Sequence, residues 1–206
     1  MSLATAAQRL KLRIDAPAGK IETVVNDPGG DRRGLAVVAH PHPLHGGSLD
    51  NKVVHMLSQT LCEHGFVSVR SNFRGVGRSD GVYDAGEGET EDLLAVIHFV
   101  HERYPDLPLI LLGFSFGAYV QSRVASQLGA DKLVLVAPAV GMYAFPPVPA
   151  DTVVIHGEDD ELIPLAQVRQ WTERQGLRLQ VVAGADHFFN RKLNELKEAL
   201  VQSCGC

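Results

Sequence analysis

The sequence predicts an α/β fold with a mostly parallel central sheet of about seven or eight strands and helices on both faces. Three observations predict it. Short, wholly apolar runs recur in "LAVVA", "LILL", "LVLV" and "VVI", the mark of strands covered on both sides. Stretches with helical spacing lie between them, as parallel strands require, since each crossover must return the chain to the same end of the sheet. The 206 residues are 45% hydrophobic, which fits a single domain spanning 1–206 with a sizeable core.

The elements follow in order. "RLKLRID" and "KIETVVN" alternate apolar and polar residues around Pro17, Ala18 and Gly19, predicting two half-buried strands joined by a turn. "LAVVAH" is a covered strand that ends in an unusual loop, "HPHPLHGG". Residues 51–64 carry Val53, Val54, Leu57 and Leu61 at helical spacing and stop at Gly65, the residue type most common just past a helix. "FVSVRSNF" reads as a strand. "GETEDLLAVIHFVHERYP" reads as a helix with acids in its first turn and Pro105 beyond its end. Strand "LILL", residues 109–112, meets the helix "AYVQSRVASQL" through the corner "GFSFG". Strands "KLVLVAP" and "TVVIHG", helix "AQVRQWTERQG", strand "LRLQVVAG" and a last helix from about residue 190 complete the pattern.

Composition excludes several functions. Net charge is −5, from 19 basic and 24 acidic residues, and no basic tract suggests a nucleic-acid partner. No apolar run reaches the roughly 20 residues of a bilayer span, and no secretory signal is visible, so a cytoplasmic location is expected. Cys62 reads as a helix residue, and Cys204 with Cys206 closes the chain. Three thiols in this arrangement do not suggest a disulfide framework.

In open parallel sheets, ligands bind beyond the carboxyl ends of the strands. The residues there include 40–47, Ser115, the acids Glu158, Asp159 and Asp160, and His187. A serine hydroxyl attacks a carbonyl only when an imidazole takes its proton, and the imidazole needs a carboxylate to fix its tautomer. All three residue types stand at strand ends, in the order Ser, Asp, His.

"GFSFG" matches G-x-S-x-G, "HGEDDELIP" looks like an acid turn, and "GADHFF" looks like a histidine loop before the last helix. Together these resemble the α/β-hydrolase superfamily. The likeness is greatest to small members without a lid, related to dienelactone hydrolase, and to a bacterial group with "HPHPLxGG" followed by "DNKVV". The resemblance implies a Ser-His-Asp triad, an acyl-enzyme and no cofactor. Counting H-G-x-x-D from His156, it selects Asp160 as the acid, with Ser115 as nucleophile and His187 as base. "NFRGVGRSDG" resembles the D-x-R-G-x-G-x-S loop of the superfamily, with Asn72 in place of the first aspartate, which gives Arg74 and Ser79 a structural role.

An oxyanion needs backbone N–H donors. Phe116, directly after the serine, supplies one. The other comes from the loop after "LAVVAH", where Pro41 and Pro43 have no N–H and leave His42 or Leu44. Phe114, Tyr143, Phe145 and Phe188 are candidate apolar contacts for substrate. Only "AVGMYAFPPVPA" separates two of the strands, too short to fold into a cap, so the site should be open and suited to small ester or thioester substrates.

Two rival readings exist. His40, His42 and His45 have the H-x-H-x-x-H spacing of metallo-β-lactamase-type zinc hydrolases, although Leu44 stands where that family has an aspartate. A non-catalytic binding scaffold on the same fold is the other.

Overall fold

A computed structural model describes residues 6–205. The strands are β1 (Gln8–Ala16), β2 (Gly19–Asp27), β3 (Gly34–Ala39), β4 (Phe66–Ser71), β5 (Leu109–Phe114), β6 (Lys132–Val136), β7 (Val153–Gly157) and β8 (Arg178–Val182). The helices are α1 (Lys52–Glu63), α2 (Glu87–Arg103), α3 (Phe116–Ala125), α4 (Leu165–Gln175) and α5 (Leu193–Cys204). All eight strands join one sheet in the order β1-β2-β4-β3-β5-β6-β7-β8. β1 and β2 form the expected hairpin, β2 also pairs antiparallel with β4, and every other pair is parallel.

The covered strands are apolar on both sides because each side meets helices. Leu35, Val37, Leu109, Leu111, Leu133 and Leu135 pack with residues of α2, α3 and α4. Their neighbours Ala36, Val38, Ile110, Leu112, Val134 and Val136 pack with α1 and α5. Side chains alternate across a strand, so one run feeds two cores. Each Val or Leu so buried contributes about 1.5–3 kcal/mol, which makes the central strands the stable floor of the site.

Local chemistry fixes the element ends that matter. Asn51 caps α1, its Oδ1 accepting the Val53 N–H at 2.9 Å, and Gly65 at φ 87° stops the helix. The loop after β4 is tied down by its polar residues. Asn72 Oδ1 accepts the Leu49 N–H at 2.8 Å, Ser79 Oγ donates to Asn72 O at 2.8 Å, and Arg74 Nε donates to Asp92 at 2.7 Å. Arg74 and Ser79 are thus structural, as expected. Between β6 and β7 stands an isolated bridge, Val140 to Tyr143, and no helix among the described residues covers the sheet end as a lid. No described helix is long and apolar enough to cross a membrane. The expectation for Cys204 and Cys206 falls partly on residue 206, outside the described residues.

Asp27, at the end of β2, is 2% exposed. Burial pushes its carboxyl pKa up, but Arg32, the Gly29 N–H and the Tyr104 hydroxyl outweigh that and hold it at about 2. Because the folded value is depressed, its contribution is present above pH 4 and is lost as pH falls through about 2. At neutral pH the shift corresponds to about 2 kcal/mol. Urea unfolding of wild type and Asp27→Asn should differ by about that amount at pH 7, with the gap closing between pH 4 and 2. A gap independent of pH would contradict this reading.

Candidate active site

Four parallel strands deliver the candidate residues to one end of the sheet. β3 leads to residues 40–47, β5 to Ser115, β7 to Asp160 and β8 to His187. Ser115 is the one residue between β5 and α3, at φ 56° and ψ −115°. A side chain held there costs about 1–3 kcal/mol, so its surroundings must enforce it. They do so by close packing. A Cβ at Gly113 would lie 2.2 Å from Gly117 O, and one at Gly117 would lie 2.4 Å from Ala39 O. Ser115 N–H also donates to Val136 O at 2.9 Å, anchoring the corner to β6.

Ser115 Oγ stands 3.0 Å from His187 Nε2, and His187 Nδ1 stands 2.7 Å from Asp160 Oδ2. Asp160 is buried, and its other oxygen accepts the N–H groups of Leu162 at 2.9 Å and Ile163 at 2.8 Å. Burial raises the Asp160 pKa. The His187 bond and the Ile163 N–H outweigh that and hold the carboxyl below its usual range. An ionised carboxylate only accepts, so the imidazole proton sits on Nδ1 and the Nε2 lone pair faces the serine. His156 stands behind Asp160, its Nε2 3.5 Å from Oδ2 and donating to Ile163 O at 2.9 Å. Asp159 is exposed, and Glu158 accepts the Gly184 N–H instead.

Ser115 and His187 open into a cavity of about 320 Å³. Met142, Tyr143, Leu162, Ile163 and Phe188 form an apolar wall, and His42, His45 and Asn51 form a polar one. A larger groove of about 420 Å³, with Arg9, His55 and Arg70 on its walls, shares no residue with this cavity. Phe116 N–H belongs to the first turn of α3, where no intrahelical carbonyl can take it.

Several sequence expectations require correction. Phe114 is fully buried and lies under the His187 ring, centroids 5.4 Å apart, so it braces the imidazole and does not touch the cavity. Phe145 packs on Tyr119 and Trp171, away from the cavity wall. Of the two expected donors of that loop, the Leu44 N–H is already engaged, donating to His42 Nδ1 at 3.2 Å. The three-histidine zinc set fails at His40. Its Nε2 accepts the Phe73 N–H at 2.9 Å and its Nδ1 is bonded to Pro41 O at 2.6 Å, so neither nitrogen has a lone pair to offer a metal. Met142, Leu162, Ile163 and Asn51 were not singled out from the sequence. Leu162 and Ile163 had a signal, since they directly follow the acid turn.

A buried Asp–His pair bonded to a serine at a strand-to-helix corner, above a parallel sheet without a lid, defines a serine hydrolase of the α/β-hydrolase fold. Residues 36–151, more than half of the chain, match the family described as serine aminopeptidase, S33, and the chain belongs to that family. An uncharacterized protein of Rickettsia prowazekii (strain Madrid E) is 30% identical over 205 residues, covering 92% of this chain and 86% of that one. A serine hydrolase without a lid from Xanthomonas campestris superposes with a TM-score of 0.89 at 39% identity, covering 98% of this chain and 94% of its own. An α/β serine hydrolase homologue from Coxiella burnetii gives 0.87 at 37% identity, covering 98% and 99%.

The corner makes a prediction. Gly117→Ala should lower stability by about 1–3 kcal/mol, since the new methyl meets the backbone of the next strand. A thermal melt should show a loss of several degrees, about 2–4 °C per kcal/mol for a chain of this size. An unchanged melt would mean that the corner is not close-packed.

Proposed function

We propose that this chain hydrolyses small carboxylic esters or thioesters with apolar acyl groups, through an acyl-enzyme on Ser115. One observation carries the reading: Ser115 and His187, bonded to each other and backed by the buried Asp160, open into a cavity with an apolar wall. Ser115 Oγ attacks the substrate carbonyl carbon while His187 Nε2 takes the hydroxyl proton. Negative charge moves to the carbonyl oxygen, where the backbone N–H groups of Phe116 and His42 receive it. Collapse of that intermediate expels the alcohol or thiol, which takes the proton back from His187. Water, deprotonated by the same nitrogen, then attacks the acyl-enzyme and releases the acid. Asp160 remains ionised throughout, holding the tautomer and stabilising the imidazolium. Tyr143 and Phe188 are substrate contacts in this reading, with Met142, Leu162 and Ile163 beside them.

The family description mentions an aminopeptidase, and the cavity favours another substrate. A free amino terminus is cationic at neutral pH and calls for a carboxylate beside the reacting acyl group. Among the described residues, none of the side chains lining the cavity is acidic. An uncharged, apolar acyl group meets its chemistry better. The open site excludes water poorly, which suits acyl groups already activated as esters or thioesters.

A serine-directed fluorophosphonate should label wild-type protein at Ser115 and leave Ser115→Ala unlabelled. Against p-nitrophenyl esters, Asp160→Asn should lose about 10⁴-fold in kcat, because the wrong tautomer then faces the serine. Wild type that neither labels nor turns over any ester or thioester would favour the non-catalytic scaffold. In a chain-length series, Leu162→Ser should raise KM about three- to tenfold for butyryl and hexanoyl esters and less for acetyl, since each methylene lost from apolar contact is worth about 0.8 kcal/mol. A uniform change across the series would place the acyl group elsewhere.

A further inference from the structure

The mechanism makes no use of His40, a histidine wholly buried at the end of β3. Both of its ring nitrogens are engaged. The Phe73 N–H donates to Nε2, so the ring proton sits on Nδ1, which donates to Pro41 O at 2.6 Å. Burial lowers its pKa to about 4, so the ring stays neutral and this tautomer persists under assay conditions. Phe73 belongs to the loop after β4, itself tied to Leu49 and Glu22 through Asn72. The ring therefore connects Pro41 to a fixed part of the fold.

Pro41 C=O and His42 N–H are the two ends of one peptide group. In a trans peptide they point in opposite directions, and the described residues contain no cis bond. The proline ring already fixes φ of residue 41, leaving ψ as the rotation that turns this peptide plane. The plane on the other side of His42 is held separately, its C=O accepting the His45 N–H at 3.1 Å and the Gly47 N–H at 3.0 Å. His42 itself lines the cavity beside Ser115.

We propose that His40 is a positioning residue of the oxyanion hole: by holding Pro41 C=O toward the core, it turns the His42 N–H toward the developing oxyanion. This rests on the reading of His42 as the second donor. It explains why a loop with two prolines, poor in N–H groups, carries a buried histidine before the first of them. It also gives the "HPHP" stretch a role other than metal binding.

Two substitutions separate the bonds of His40. In His40→Asn the side-chain NH2 replaces Nδ1 and keeps the donor to Pro41 O, losing the Phe73 contact. In His40→Gln the side-chain oxygen replaces Nε2 and keeps the acceptor for Phe73 N–H, losing the bond to Pro41. Each variant loses one buried hydrogen bond, so their melting temperatures should fall alike. Their kinetics should not. With p-nitrophenyl butyrate, His40→Asn should keep kcat within about threefold of wild type, while His40→Gln loses about 10- to 100-fold in kcat at nearly constant KM, the mark of a misaimed transition-state donor. Equal losses in the two variants, or losses that follow melting temperature, would overturn the proposal.

Amide NMR of wild type provides the second measurement, which needs no variant to fold and tests the donor that His40 is proposed to aim. On phosphonylation of Ser115, the His42 and Phe116 amide protons should move downfield while that of Leu44 does not. Movement of Leu44 in place of His42 would overturn the proposal. Wild type that does not react with the phosphonate would instead refute the serine mechanism beneath it.

Discussion

The site depends on a backbone constraint at one residue. Ser115 lies in a conformation that L-residues avoid, and the chain tolerates it because β5, α3 and β3 approach too closely at Gly113 and Gly117 for any side chain to intervene. The strain lifts one hydroxyl clear of the sheet end. It also places the Phe116 N–H at the first turn of α3, so the serine hydroxyl and a backbone N–H with no intrahelical partner come from the same corner. What opposes the strain is the floor beneath it, with the central strands buried on both faces.

The polar half of the site follows the same economy of parts. Asp160 is buried, yet each of its oxygens has a donor: two backbone N–H groups on one side, and His187 on the other. A buried carboxylate left short of donors would protonate and lose its hold on the imidazole. The turn after β7 supplies those donors from Leu162 and Ile163, and the same two residues turn apolar side chains to the cavity. One short segment thereby serves both the acid and the apolar wall of the cavity.

Much of this was legible in the sequence. The parallel sheet could be read because covered strands must be continuously apolar; Ser115, Asp160 and His187 stood out because each lies just past a strand, in the order Ser, Asp, His, and the family resemblance separated Asp160 from Asp159. The chain also carried a signal for Phe114. It continues the alternation of Ile110 and Leu112 along β5, which assigns it to the face packed on α1 and α5, away from the cavity. What could not be read was pairing across distance. His40 looks like a ligand among three histidines, and the Phe73 N–H that occupies its ring lies 33 residues further along. Phe145 and Met142 stand three residues apart in one loop, and only tertiary packing turns one to Trp171 and the other to the cavity.

The most direct test of the account is to catch the acyl group on the enzyme. Rapid quenching of wild type with p-nitrophenyl butyrate should show a burst of nitrophenol matching the enzyme present. Mass spectrometry of the tryptic digest should then find the butyryl group on the peptide of residues 104–123, at Ser115. Turnover with no burst and no acylated peptide, or acylation at another residue, would contradict the account.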